Sequence, residues 1–251
     1  MGLSVSPAVW QNFIQKVLSE IPNHRKHHLA IMDDCLVHSK KKEHLSHLID
    51  LFKALIRNGL KISPKKCQLF RKKLVYMGHT LLIEDNMPKI TPLKTRIDAI
   101  MKLDPPKTPK NCKQFCGMVN FLSVFLKDLQ IKLAPIYQLT RKGIPWEWTE
   151  ECQQAFDSIK KDLTNPPVLV MPNDKGHFVL VSDTSTIGCG ATLYQMIDEE
   201  YRVVAYYSKK LPEAVRRYSI SELELTGMLA NITAFKHILR NVDFTVLSYS
   251  D

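Results

Sequence analysis

No apolar run in the 251-residue chain is long enough to span a bilayer, and no secretory leader pattern opens it. Internal repeats and low-complexity stretches are missing too, which excludes solenoids and disordered tails. Cysteine is scarce and scattered, at positions 35, 67, 112, 116, 152 and 189. Only Cys112 and Cys116 lie close together, inside a helical pattern, and no second pair or downstream histidine pair completes a zinc set. Reduced, packed thiols in an intracellular protein are expected, with no membrane partner. The nine histidines contain no HExxH arrangement, and those between 24 and 47 read as mostly exposed.

Hydrophobic residues make up 45% of the chain, which supports a packed core of one large domain or two modest ones. The net charge is +10 and the isoelectric point about 9.3. The positive residues recur in clusters: Lys40 to Lys42, Lys65 and Lys66, Arg71 to Lys73, Lys209 and Lys210, Arg216 and Arg217. Any one cluster is compatible with simple solubility. Together they favour a polyanion partner, nucleic acid in particular.

Along the chain, Pro7 sits near the first turn of a helix predicted over Ala8 to Ile21. A second helix is predicted from Lys42 to Asn58, with Leu45, Leu48, Ile49, Phe52 and Leu55 at helical spacing and Gly59 as its C-terminal cap. Leu60 to Phe70 reads as strand, and Leu74 to Leu82 as a strand pair around Gly78. Prolines 88, 92, 105, 106 and 109 mark a linker zone with one helix inside it, Pro92 to Lys102. Further helices are predicted over Asn111 to Leu126, Ala134 to Leu139 and Thr149 to Leu163, the last with Thr149 as N-cap. Strands then follow at Phe178 to Ser182, Gly188 to Tyr194 and Tyr201 to Ser208. One long helix (Ser219 to Leu239) and a strand (Phe244 to Ser250) close the series. This β-β-β-α-β order describes a mixed sheet with a helix on one face. Both ends read as cut from something longer.

Two sets of carboxylates carry possible chemistry. Asp33 and Asp34 are adjacent within the apolar run Leu29 to Val37. The flanks suit two short strands, placing the pair at a hairpin tip. Neighbouring anions repel, and hard oxygens held forward suit Mg²⁺ shared with substrate phosphates. A solvated surface turn fits this segment equally well. Asp183 ends a strand, and Glu222 and Glu224 lie on the long helix. Such acids can converge above a sheet to hold two cations for phosphodiester hydrolysis, although spacing alone also fits a turn and a solvated helix face.

The motifs in series resemble the reverse transcriptase–ribonuclease H region of Pol polyproteins from gypsy-like LTR retrotransposons. Met1 to Gln11 resembles "MGLxxSPAxFQ", a segment that packs by the incoming nucleotide. Ile31-Met32-Asp33-Asp34 resembles the "YxDD" box with Ile for Tyr. Gly59 to Cys67 resembles "GLxLxPxKC". Tyr76-Met77-Gly78-His79 resembles the "YLGH" primer grip. Thr108 to Phe125, Trp146 to Phe156, Ser182 to Ser185 ("TDAS") and Tyr218 to Leu225 ("YSxxEKEL") continue the order.

The resemblance implies an α+β fold: a partial reverse transcriptase palm (1–85), a helical thumb/connection-like region (86–167) and the N-terminal part of a ribonuclease H-like domain (168–251). It implies an RNA-directed DNA polymerase with linked ribonuclease H. Catalytic metal ligands would be Asp33, Asp34, Asp183 and Glu224, the last chosen over Glu222 because the second Glu of the motif carries the role. Nucleotide or primer-template contacts would be Gly2, Pro7, Gln11, Lys65, Lys66, Met77 and Gly78. The implied cofactor is Mg²⁺ or Mn²⁺. The implied partners are an RNA–DNA hybrid, a DNA primer on an RNA template, a dNTP, and protease and integrase segments of a parent polyprotein. The implied setting is the cytoplasm, a virus-like particle or the nucleus.

The pattern also departs from the family. The first palm Asp and the fingers would lie upstream of Gly2. The third nuclease acid falls at Tyr249; Asp251, two residues on, is the remaining candidate metal ligand, roughly 6.6 Å further along the strand and within reach only if the backbone bulges. The expectation is a chain without robust catalysis; the alternative is a non-catalytic nucleic-acid-binding remnant of a decayed or repurposed element.

Overall fold

The computed structural model describes residues 4–248. It divides into two compact units, 1–71 and 72–251.

In the first unit, Pro7 near the start of α1 (Ser6–Ser19) supplies a preset φ where no amide hydrogen bond is lost. A single turn, α2 (His24–His27), leads into β1 (His28–Ile31), which pairs antiparallel with β2 (Asp34–Val37). Helix α3 (His44–Arg57) follows and ends at Gly59, whose φ of 69° only glycine adopts freely. Ile14, Val17 and Leu18 of α1 bury against Leu51, Ala54 and Leu55 of α3 and Ala30 of β1, so both helices cover one face of the hairpin. Residues 60–70, expected as strand, contain only a 3-10 turn at Pro64–Lys66. Pro64 has no amide hydrogen to give a ladder, and among the described residues no strand pairs with this segment.

The second unit begins with a four-stranded antiparallel sheet. It runs β3 (Lys73–Tyr76), β4 (His79–Glu84), β5 (Met87–Pro92) and the distant β6 (Leu169–Val170). β3 and β4 pair onward into β5, so residues 72–84 lie in the second compact unit. Prolines 88 and 92 lie within β5 rather than in a linker; β6 pairs only with Lys89 and Ile90, so neither proline interrupts that ladder.

Helices α4 (Lys94–Met101), α5 (Pro109–Asn120), α6 (Leu129–Lys132), α7 (Ala134–Gln138) and α8 (Glu150–Thr164) enclose the largest core, centred on Phe115, Phe125, Phe156, Leu133 and Ile159. Thr108 and Thr149 cap α5 and α8, their hydroxyls accepting from the amides of Asn111 and Cys152.

The last sheet has the order β10-β7-β8-β9, from β7 (Phe178–Thr184), β8 (Gly188–Ile197), β9 (Glu200–Lys210) and β10 (Phe244–Ser248). β10 runs parallel to β7 and the other pairs are antiparallel. The expected single helix is broken at Phe235 into α9 (Ile220–Ala234) and α10 (Lys236–Leu239). Burying the Phe235 ring edge-on to Tyr207 turns the chain there. Among the described residues no helix is long and apolar enough to cross a membrane.

All six cysteines are free, four of them buried. Burial pushes the Cys112 thiol up to about 11 and the Cys116 thiol up to about 12, so these are inert packing groups. The histidines depart from expectation: His28 is only 3% exposed, and most of the others are half-buried. The His27 and His47 rings stack with centroids 4.0 Å apart, and His28 Nε2 donates to the His47 carbonyl at 2.9 Å. Ring packing thus half-buries His27 and His47 beside the buried His28.

Candidate functional site

The β1–β2 register pairs Ile31 with Asp34, leaving Met32 and Asp33 as a two-residue turn. Such turns need a positive φ at the first central residue, a place normally held by glycine. Met32 adopts it, with φ 53°. Helix α1 holds it there. The Met32 amide donates to Gln11 Oε1 (2.8 Å), and the Trp10 indole donates to the Met32 carbonyl (2.9 Å). The Ala30 carbonyl accepts from Gln11 Nε2 (2.9 Å) and Gln15 Nε2 (3.1 Å). Gln11 thus spends both ends of its amide on the hairpin backbone. Asp33 and Asp34 are exposed, and neither carboxylate pairs with another described residue.

The remaining expected contacts in this unit are simpler. Pro7 is exposed at the helix start; Lys65 and Lys66 are exposed on the 3-10 turn. Gly2 lies outside the described residues, as do Tyr249 and Asp251.

In the second unit, Met77 and Gly78 form the β3–β4 turn, with φ of 49° and 74°. Two successive positive φ values define the tight hairpin turn whose twist matches the strands. Met77 is 43% exposed. Gly78 has no space for a side chain, since a Cβ there would meet Phe121 Cζ at 2.8 Å and Arg96 Nη2 at 2.9 Å.

Asp183 lies near the end of β7. Its neighbours Ser182 and Thr184 face α9: Asn231 donates to Ser182 Oγ (2.8 Å), and Thr184 fills the space a Cβ on Gly227 would need. Strand alternation therefore directs Asp183 to the opposite face. There Asp128 lies against Gly190, the cross-strand partner of Asp183. Burial raises the Asp128 carboxyl above its ordinary range; Lys127 opposes this and Asp183 adds to it.

On α9, Glu222 accepts from the Ser219 amide (2.9 Å) and hydroxyl (2.8 Å) while Ser219 caps the Glu222 amide. This capping box lowers the Glu222 carboxyl below its ordinary value, chiefly through the Ser219 amide. Glu224 is half-buried and pairs with no described residue. Asp183 and the helix bearing Glu224 lie on different faces of the sheet.

Oxygen donors of the kind Mg²⁺ prefers are thus present, but among the described residues no three His, Cys, Asp or Glu side chains are placed to hold a metal ion.

Sequence reasoning missed Trp10 and Gln15, which share the clamping of the hairpin, and Asp128, which shares the face of Asp183. The i, i+4 spacing of Gln11 and Gln15 was an available signal, since it places both amides on one side of α1. No local pattern marks Asp128.

Comparison with known proteins accords with this geometry. Residues 1–81 match the family model for reverse transcriptase (RNA-dependent DNA polymerase), and residues 148–246 match that for the RNase H-like domain found in reverse transcriptase. The Tf2-7 and Tf2-3 transposon polyproteins of Schizosaccharomyces pombe are 31% and 32% identical to the chain over 242 residues. That is 96% of this chain but 18% of either polyprotein. Among solved structures, the foamy viral protease-reverse transcriptase in complex with an RNA/DNA hybrid superposes with a TM-score of 0.80 at 22% identity, covering 97% of this chain and 32% of that one. Its complex with dsDNA gives 0.78 at 23% identity, covering 99% and 51%. Residues 1–81 are thus similar to reverse transcriptase and residues 148–246 to the RNase H-like domain found in reverse transcriptase, and the chain as a whole matches about a fifth of the length of transposon polyproteins.

Proposed function

We propose that the chain is the palm-to-nuclease stretch of a gypsy-like LTR retrotransposon Pol polyprotein. The parent protein would copy an RNA template from a DNA primer with dNTPs and cut the RNA of the resulting hybrid, using Mg²⁺ or Mn²⁺. Protease and integrase segments would accompany it, inside the cell or in a virus-like particle. The ordered motif series and the surplus of positive charge support this reading.

On its own the chain would hold an RNA–DNA duplex without turning it over. One observation supports this: among the described residues the carboxylates come in pairs, Asp33 with Asp34 and Asp183 with Asp128, and no three His, Cys, Asp or Glu side chains are placed together. Contacts to backbone phosphates would make affinity fall steeply with salt.

Primer-extension and hybrid-cleavage assays with either cation, run beside a binding titration, test both parts. Saturable, salt-sensitive binding without turnover is expected. Extension that Asp33→Ala abolishes overturns the claim of inactivity. A weak, salt-independent signal overturns the claim of duplex binding.

A further inference from the structure

The Met77–Gly78 turn does not stand alone. The Phe121 ring stacks on His79 with centroids 4.9 Å apart and planes at 17°, and the Arg96 guanidinium lies 3.9 Å from the Phe121 ring centre. Arg96 Nη2 and Nε crowd the position a Gly78 Cβ would take, at 2.9 and 3.1 Å. Burial, and then the Arg96 charge, lower the His79 pKa and keep that ring neutral. Arg96 itself is exposed, and among the described residues it pairs with no carboxylate. A guanidinium held over an aromatic ring is pre-organised and loses less freedom per hydrogen bond it forms than a lysine would.

We propose that Arg96, held on Phe121, is an anion anchor beside the hairpin turn that takes a backbone phosphate of the bound nucleic-acid duplex. It rests on the duplex-binding reading above. Neither the motif series nor the family matches assign Arg96 a role. Its planar fork suits two oxygens of one phosphate, and such a contact fixes the register of a strand without reading its sequence. Phe121 is a positioning residue in this scheme. It sets the guanidinium at the height of the turn, where Gly78 leaves room for it.

The test is a hybrid-binding titration across salt concentrations with the whole chain and four variants. Arg96→Gln should weaken binding roughly fivefold at moderate salt and reduce the slope of log K against log salt by about 1. Arg96→Lys should keep most of the slope but lose affinity. Phe121→Leu should weaken binding with the charge still present; thermal melting, monitored in parallel, separates this from unfolding. Lys161→Gln, removing an exposed charge on α8, should change the slope less than Arg96→Gln does. An unchanged slope in Arg96→Gln, or an equal loss in Lys161→Gln, overturns the anchor and leaves duplex binding standing. No binding by the unmodified chain overturns both.

Discussion

Gln11 accepts a hydrogen bond from the Met32 amide at 2.8 Å and returns one to the Ala30 carbonyl at 2.9 Å, so one side chain brackets the turn that carries Asp33. A methionine in the left-handed region is sterically unfavourable. The bracket is what keeps it there.

Gln11→Leu should therefore loosen the hairpin. With the Met32 amide left without its partner and the Ala30 carbonyl keeping only Gln15, the loss should be about 1 kcal/mol of first-unit stability. Amide exchange at Met32 should accelerate by one or more orders of magnitude, while exchange in α3 changes only through the common loss of stability. Met32→Gly should act in the other direction, raising the melting midpoint because glycine adopts the same φ without strain. A lowered midpoint for Met32→Gly would show that the turn is not strained.

Gly227 marks the closest approach of α9 to its sheet. A Cβ there would come within 2.0 Å of Thr184 Oγ1. Gly227→Ala should cost about 1–3 kcal/mol, since either the helix lifts or the strand shifts. Pairing it with Thr184→Gly should recover much of the loss in a denaturant melt. Equal stability of Gly227→Ala and the unmodified chain would show that the helix seats elsewhere.

The two glutamates of α9 should respond differently to neutralisation. Glu222→Gln weakens the capping box and should lower helix stability. Glu224→Gln touches no such bond and should melt like the unmodified chain. If Glu222→Gln is silent and Glu224→Gln destabilises, the assignment of structural and free carboxylate is reversed.

The histidine group under the hairpin predicts acid sensitivity. His38 is lowered from 6.5 by burial first, then by His27, His28 and His47; His47 is lowered by burial, then by His27 and His28, with Glu43 and Asp50 opposing. A lowered folded-state pKa means the unfolded chain binds more protons in this range. The associated stability is thus fully present above pH 6.5 and is lost as the pH falls toward and through the lowered values. First-unit melting should drop between pH 7 and pH 5, and His47→Phe should flatten that dependence. A midpoint that rises on acidification contradicts this sign.

Much of this architecture is legible from residue pattern because its causes are local. The α3 stripe ends at Gly59, Thr149 caps α8, and the Asp-bearing run makes a hairpin with a two-residue turn, as alternation and capping rules require. What escapes is governed by distant partners. Lys72 to Glu84 belongs with the second unit only because β5 takes up β4, and the histidines are enclosed only because α3 brings His47 over His27. The face of Asp183 depends on the α9 contacts of Ser182 and Thr184, which no motif records. Phe235 breaks a helix whose periodicity runs through it, because its ring is wanted in the core.

The pairing of β5 with β6 has a kinetic corollary. Ile90 meets Leu169 after about eighty intervening residues, and two residue pairs plus the Met171 amide donating to the Pro88 carbonyl fasten the join. Closing so long a circuit is entropically slow unless the intervening helices have already condensed. The two-residue strand should thus be a late arrival in folding and an early departure on heating. It would act as a clasp whose opening frees the rim of the first sheet while the helical interior stays intact.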